Sequence, residues 1–596
     1  MDAKADILFE VSWEVCNKVG GIFTVVQSKI LPMKEYYGNN YFLIGPYFPN
    51  KAWGIFEEHM APEDCRKAFA SLKKEGIDVH CGTWVTKGSP NVLLVDFTNF
   101  SSRKDDIKRK LWDWFQVDSL NTEWFDFDES VVWAYAVGRL IEELAKIYSG
   151  KRIVAHFHEW LAGTGLLYLK HQNVRIGTVF TTHATTLGRA LAMQARDIYE
   201  DLEKIDSDAE ARRLGTSVLA KHLLEKQSAL NAGIFTTVSE ITGIEAAHFL
   251  GRKPDVLLFN GLDMSKFPTF EEASVKHRLF KNRIKQFLIY YFFPYYHFDI
   301  DNTLIYFLAG RYEFHDKGVD VFIRALGKLN EMLKKEKCEK TVVAFFWIPG
   351  NVKGIRPELL ESKTFFSDVK DTIDDIHEDI HNRLFYLLIS GRDVSKDSLL
   401  GEDFMQDLKP KLKRLMRKGL PPVSTHLLYD EGRDPIMNAL RAADLQNKED
   451  DRVKVVFYPI YLSGADGLLD TSYYESMQGS HLGVFPSYYE PWGYTPLEAA
   501  ALGVSSLTTD LAGFGQYIHK ECEQGKYPGI FVLPRFKKSE DEIVNALTEM
   551  MSKFAHFSTK ERIENKIVAQ KIAATADWKL FIERYIEAQN KAVEKL

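Results

Sequence analysis

The sequence predicts an α/β protein built from two doubly wound parallel sheets facing a central cleft, with a helical insertion in the second half. Three observations carry this expectation. Short apolar, β-rich runs alternate with helical patterns along most of the chain, the rhythm of parallel βαβ units. The strand-like runs fall into two sets, parted near Asn260-Gly261-Leu262, a turn-like segment after an apolar run. A length of 596 residues exceeds what one hydrophobic core serves and suits two or three domains.

In the first half, strands are expected at 7–11, 41–44, 92–96, 153–157, 177–182 and 233–238. In the second they are expected at 303–309, 341–346, 453–458, 482–485 and 504–508. The division is drawn at 1–260 and 261–574. Two stretches break the rhythm and read as helical insertions: 271–288, charged and helical in pattern, and 362–447, dense in Lys, Asp and Glu with scattered Leu and Met. The longer one suits either solvated surface helices or a projection used for subunit association. The end of the chain reads as one or two helices.

Composition narrows the function. A hydrophobic fraction of 45% with 27% charged residues is ordinary for a soluble globular chain. A net charge of −7 argues against a polyanionic partner, so nucleic acid is not expected, whereas a neutral polymer fits. Cys16, Cys65, Cys81, Cys338 and Cys522 are scattered without a C-x-x-C pair. They provide neither a zinc frame nor a disulfide frame and point to a reducing, cytoplasmic compartment. The N-terminal MDAKADILFEV has no apolar leader. The most apolar stretch, 287–298, is too short to span a bilayer and contains Pro294 and His297, so no membrane role is expected.

Five segments at strand ends carry candidate chemistry. After the first strand, Asn17-Lys18-Val19-Gly20-Gly21 precedes a helix. Paired glycines there suit close approach of backbone N–H groups to a phosphate, with Lys18 adding charge, or simply a tight turn. HFHEWLAG, 156–163, offers two His and one Glu, compatible with a metal but better suited to sugar hydroxyls. TTHATTLGR, 181–189, brings His183 and Arg189; the histidine fits a hydrogen-bonded core, and the arginine favours an anionic ligand. In AGRYEFHDKG, 309–318, Arg311 and Lys317 bracket a strand–loop–helix turn, which suits a diphosphate or a surface ion pair. The strongest is HLGVFPSYYEPWGYTPLEAAALG, 481–503. Glu490 lies in the loop, Glu498 follows at Glu-x7-Glu spacing, and Gly493-Tyr494-Thr495 leads into a helix with Pro496 in its first turn.

These strings resemble those of the animal and fungal glycogen synthase family. NKVGGI, AHFHEWLAG, FTTHAT-LGR, FTTVS-IT-IEA, AGRYEF, RVKVVF and HLGVFPSYYEPWGYTP occur in that order, and the similarity runs from Ile7 to about Trp578. Starch synthases carry a Lys-Thr-Gly-Gly-type loop where this chain has Lys-Val-Gly-Gly. The resemblance implies a GT-B fold of two Rossmann-like domains, the first completed by C-terminal helices at about 575–596. It implies a retaining transferase with UDP-glucose as donor and the non-reducing end of an α-1,4-glucan as acceptor.

By the same resemblance, Lys18, Arg311 and Lys317 hold the UDP diphosphate, with Gly20 and Gly21 in the same loop. His183 and Arg189 meet the transferred glucose and its phosphate. Glu490, Trp492 and Gly493 contact the donor sugar, Tyr494 and Thr495 lie near the phosphates, and Tyr473 stacks on uracil. Glu490, Arg311, Lys317 and His183 form the catalytic group. Fixed cations and helix amides stabilise a departing diphosphate, so no metal or other cofactor is expected. Glu490 is the one obvious carboxylate, which favours same-face attack over the paired-carboxylate route. A glycogenin-type primer protein and a tetrameric homo-oligomer are the family's expectation. An ADP-glucose starch synthase-like transferase and a silent glucan-binding scaffold are the competing readings.

The family's arginine-rich helix, which binds glucose 6-phosphate, matches 558–578, where the chain departs from the pattern. Arg562 remains; Lys560, Lys566 and Lys571 replace three arginines, and Thr559 and Val568 replace two more. Arg562 and Lys566 are four apart on one helical face. His277, Lys281 and His481 also match effector contacts, while Glu271 and Ser274 stand where histidine and glutamine are usual. The expectation is an altered phosphosugar pocket, against basic residues that merely face solvent.

Overall fold

The computed structural model describes residues 2–521, 525 and 527–596, so Cys522 lies outside the described residues. The first sheet contains β1 Ile7–Val11, β2 Tyr41–Pro46, β3 Phe56–Glu58, β4 Asp78–Trp84, β5 Asn91–Asp96, β6 Ile153–His158, β7 Gly177–Thr182, β8 Ile234–Thr237 and β9 Val256–Leu257. Their order is β3-β4-β5-β2-β1-β6-β7-β8-β9. Only the pairings of β3 with β4 and β4 with β5 are antiparallel. In the second half the strands are β10 Thr303–Ala309, β11 Thr341–Trp347, β12 Val352–Ile355, β13 His426–Leu428, β14 Val453–Tyr458, β15 Leu482–Val484, β16 Ser505–Thr509 and β17 Ile530–Leu533. Six of them form a parallel sheet in the order β14-β11-β10-β15-β16-β17, while β12 and β13 make a separate hairpin.

Every strand expected from sequence is present. Those unforeseen are short or lie at edges, except β4, which has seven residues and lies one strand in from an edge. β3 and β4 are half-exposed with mixed polarity, so neither a buried run nor a clean alternation marks them. In each sheet the strand order reverses, between β1 and β6 and between β10 and β15. Parallel α/β sheets bind ligands beyond the carboxyl ends of strands at such reversals.

The charged stretch at 271–288 is part of one helix, Phe270–Phe292, started by a Thr269–Glu272 capping box. It is less an insertion than a core element: Ile284, Phe287, Leu288 and Tyr291 bury against β10, β11 and β14. The longer insertion projects as the helices Pro357–Asp374, His377–Ile389, Lys396–Leu400 and Glu402–Leu415. It ends earlier than expected, because β13 and the helix Pro435–Ala442 fold back, the latter onto the helix Val319–Lys335. The helix His377–Ile389 buries no residue and exposes Phe385, Tyr386, Leu388 and Ile389.

The chain crosses between the halves twice, at 259–262 and at 576–578. The crossings are bonded to each other: Leu262 N–H donates to the Ala576 carbonyl at 2.9 Å, and Trp578 N–H to the Leu262 carbonyl at 3.0 Å. Gly261 is required by this closeness, since a Cβ would come within 2.9 Å of the Trp578 nitrogen. The final helix, Trp578–Glu594, then packs on the first sheet through Trp578, Phe581, Ile582, Tyr585 and Ile586.

Candidate active site

The carboxyl ends of β10 and β15 bring Lys317 and Glu490 together. Lys317 Nζ lies 2.5 Å from Glu490 Oε2, with both side chains largely buried. Gly318, at φ +67°, makes this turn possible, because a Cβ would overlap the Pro486 carbonyl oxygen. The Glu490 loop is itself pinned, its carbonyl accepting from the Gly513 N–H at 3.1 Å. Gly493 at φ +108° then starts the helix Tyr494–Ala501, which has no side-chain cap and no acid in its first turn. Its leading N–H groups are therefore open to an anion. Lys317, Ser487, Glu490, Thr495 and Thr508 line one small hollow. Arg311 stands apart: its side chain is 69% exposed and pairs with Glu313 at 2.9 Å. Tyr473 reaches the same helix start, its hydroxyl meeting the Thr495 side chain.

Trp492 does not turn its ring to this hollow. The ring is buried among Phe259, Phe514 and Phe581, with centroids 5.4, 5.9 and 6.0 Å away, and its Nε1 has no partner. Only the main chain of Trp492 is left to face a donor sugar. The indole is part of the core that joins the halves.

The glycine loop after β1 also differs from expectation. The Gly20 and Phe23 N–H groups donate to Glu14 Oε2 at 2.6 and 2.9 Å. Burial pushes the Glu14 carboxyl up, and these amides pull it back. The amides expected to meet phosphate thus already hold a carboxylate. Gly21 opens the helix Gly21–Ser28, and Lys18 is exposed, its Nζ 5.9 Å from the Phe23 ring centre.

Beyond β6 and β7 lies a buried polar network. His183 Nε2 is 2.9 Å from His158 Nδ1, and His158 Nε2 is 2.6 Å from Glu10 Oε1. Lys29 Nζ also bonds Glu10 Oε1, and the Tyr41 hydroxyl donates to Oε2 at 2.5 Å. Glu10, Lys29 and His158 are all shielded from solvent. Despite burial, Lys29 and His158 hold the Glu10 carboxyl well below its usual range, while burial pushes both His158 and His183 down, so the imidazoles are neutral. Glu10, His156 and His158 lie close enough to share an ion. Lys29 already supplies that carboxylate with its cation.

Arg189, on the helix Thr186–Met193, is exposed at the mouth of this region. Glu159 lies beside it in left-handed backbone at φ +66°, its carboxylate accepting from the His183 and Ala184 N–H groups at 2.9 and 3.1 Å. Burial pushes Glu225 up to about 8 and Glu245 to about 7. Glu245 joins the halves: it accepts from Thr185, Tyr199 and, across the cleft, Tyr489 at 3.0 Å. The neighbouring Tyr488 hydroxyl accepts the Ile198 N–H and donates to Asp197 at 3.1 Å. The loop carrying Glu490 is thereby docked onto the first half. Sequence reasoning missed Glu10, Lys29 and Glu245; a lone acid inside the buried strand ILFEV was the available signal.

A second cavity, of about 420 Å³, gathers His277, Lys281, His481, Arg562 and Lys566. The His277 Nδ1–H donates to the Gln478 carbonyl at 2.6 Å, and His481 Nδ1 accepts from the Ile305 N–H at 3.0 Å. One ring therefore offers the cavity an acceptor nitrogen and the other a donor. Burial, with Lys281 and Arg562 nearby, pushes Lys566 down to about 7. Gln570 of the helix Thr559–Thr575 donates to the Ala501 carbonyl at 3.3 Å, at the far end of the helix that begins beside Glu490.

The sequence and the fold have counterparts. The chain is 38% identical over 582 residues to the liver glycogen [starch] synthase of Mus musculus, covering 98% of this chain and 82% of that one. It is 36% identical over 601 residues to the glycogen [starch] synthase of Neurospora crassa, covering 100% and 84%. The catalytic domain of starch synthase IV from Arabidopsis thaliana, solved with ADP and acarbose, has the same fold at a TM-score of 0.50 and 13% identity, covering 99% of this chain and all of that one. The sequence profile described as Glycogen synthase matches residues 10–596. Two largely parallel sheets, a Lys317–Glu490 pair beyond the strand ends of the second and this match over almost the whole length place the chain in the glycogen synthase family.

Proposed function

We propose that the chain lengthens an α-1,4-glucan by transferring glucose from UDP-glucose with retention of configuration. The observation that carries this is the Lys317–Glu490 contact beside the uncapped start of the helix Tyr494–Ala501. Breaking the bond from the anomeric carbon to phosphate leaves positive charge on the sugar and negative charge on the UDP. Lys317, Arg311, Lys18 and the helix amides stabilise the diphosphate without reorganising, a contribution of about 3 kcal/mol for each well-aimed donor. Glu490 supports the cationic ring. The acceptor hydroxyl attacks from the departing face, and its proton passes to the leaving phosphate oxygen. Arg189 and His183 belong to the glucose side of the site, and Tyr473 to the base.

The 420 Å³ cavity suits glucose 6-phosphate: three cations for the phosphate, and one acceptor and one donor imidazole nitrogen for sugar hydroxyls. The exposed apolar face of Phe385, Tyr386, Leu388 and Ile389 suits self-association, which supports a homo-oligomer, a tetramer by family precedent. A glycogenin-type primer is the partner that family membership suggests. No described helix is long and apolar enough to cross a membrane, in keeping with a cytoplasmic enzyme.

Incorporation of radiolabelled glucose into glycogen tests the reading. UDP-glucose is expected to label the polymer far better than ADP-glucose, and glucose 6-phosphate to raise the rate. Equal use of both donors overturns the donor assignment, and no incorporation from either overturns the activity.

A further inference from the structure

The buried network behind His183 ends in an ion pair and so has a direction. Glu10 is the fourth of the five residues of β1, shielded from water, and accepts from Lys29, Tyr41 and His158. An ionised carboxylate has only acceptor sites, so His158 Nε2 must carry the proton of their shared bond. His158 is neutral and its second nitrogen, Nδ1, is then a lone pair. The 2.9 Å contact between His158 Nδ1 and His183 Nε2 therefore needs the proton on His183 Nε2. That leaves His183 Nδ1 as a bare acceptor. This nitrogen makes no hydrogen bond among the described residues, and it is absent from the buried atoms that lack a partner, so it reaches the surface of a side chain that is only 7% exposed.

We propose that Lys29, Glu10 and His158 form a positioning relay that holds His183 as the Nε2–H tautomer, presenting Nδ1 to the cleft as an obligatory acceptor for a hydroxyl of the transferred sugar. This rests on the transferase reading above and deepens it, because it names the atom that recognises the sugar. A site with a fixed acceptor rewards a ligand that donates there and rejects one that cannot. The relay acts from about 20 residues of separation to well over 100 in sequence, yet each of its members is packed. Tyr585 of the last helix covers it, with Lys29 Nζ 4.4 Å from its ring centre. The ion pair thereby fixes a proton at a distance without itself touching substrate.

The test uses the full chain with ¹⁵N-labelled histidine and two-bond proton–nitrogen correlation spectra. The pattern of His183 among the 17 histidines is identified by its loss in His183→Asn. The expected pattern is a protonated Nε2 and an unprotonated Nδ1. Removing Glu10 alone would strand Lys29 and risk misfolding, so the informative variant is Lys29→Met with Glu10→Leu, which removes both ions together and is tolerated more readily than removing one. In it the single tautomer is expected to give way to a mixture. With UDP-glucose, kcat/KM is expected to fall by roughly 10- to 100-fold, while inhibition by sugar-free UDP stays within about twofold, as for a lost hydrogen bond to sugar alone. A wild-type His183 protonated on Nδ1, or a double variant that keeps both tautomer and activity, overturns the proposal. If the tautomer is found as stated but no glucose is transferred, the relay stands and the transferase reading fails.

Discussion

In the proposed reading the hollow at Glu490 and the cavity at Lys566 both receive phosphate, and their cations are arranged in opposite ways. At the first, Lys317 is already matched by Glu490 at 2.5 Å and Arg311 by Glu313 at 2.9 Å. At the second, Lys281, Arg562 and Lys566 face one another with no carboxylate partner among the described residues, and burial, reinforced by the two neighbouring cations, lowers Lys566 to about 7. A paired cation keeps its charge and its place, which a transferase needs through every turnover. A crowded, unpaired one carries a desolvation penalty that only an anion relieves. Under that reading, the company its lysines keep is what separates a working site from a sensing site.

The comparison breaks most visibly at Glu490. Glu490→Gln is expected to lower kcat by about 10³-fold or more, with UDP still bound, since the lost charge acts on the sugar cation. Steady-state kinetics together with UDP binding by calorimetry check this; near-normal turnover would remove Glu490 from the chemistry. Next, Lys566→Met is expected to weaken glucose 6-phosphate binding by roughly 10- to 100-fold, as for a lost charged contact. The same change is expected to raise the thermal midpoint by about 2–4 °C, because it removes an unpaired, half-buried ammonium. A variant that loses binding and also stability would show that Lys566 is structurally paired after all.

A subtler test is pH. Lys566 has its folded value pushed below its free value of 10.5, so its penalty is present in full below about 7 and relieved as pH rises towards 10.5. Effector binding runs the other way, since a phosphate dianion favours the protonated amine. Affinity for glucose 6-phosphate is expected to fall several-fold between about pH 7 and 9, where the phosphate, with its second pKa near 6, no longer changes charge. Calorimetry at three pH values measures it, and a flat profile would mean that Lys566 stays charged throughout. The smallest effect is expected at the docked loop: Tyr489→Phe removes one bond to Glu245, a loss of about 1 kcal/mol, and lowers kcat by about three- to tenfold. No change would mean that Tyr488 alone holds the loop.

Much of this was legible in sequence, and the remainder was not for identifiable reasons. Apolar periodicity revealed the buried parallel strands, because a strand covered on both faces leaves a continuous run. The half-exposed β3 and β4 left no such trace. His277, Lys281, His481, Arg562 and Lys566, scattered over nearly 300 positions, were picked out by resemblance and line one cavity. The failures are matters of direction. Trp492 sits in the right loop, but its ring turns inward because Phe259, Phe514 and Phe581 converge there. The amides of the Gly20 loop point to Glu14, six residues earlier, which occupies them. The partners of Glu10 lie at positions 29, 41 and 158, and no local pattern links them.

The paired crossings at Leu262 and Asp577–Trp578 have a mechanical consequence. A single connecting strand would let the two halves swing and twist freely. Two strands stitched side by side act as a strap hinge: bending about the line through them is easy, whereas twisting must tear the hydrogen bonds between Leu262 and its neighbours Ala576 and Trp578. Twist of one half against the other is thereby resisted where the chain crosses, and a rotation that spares these bonds is a hinge about that line.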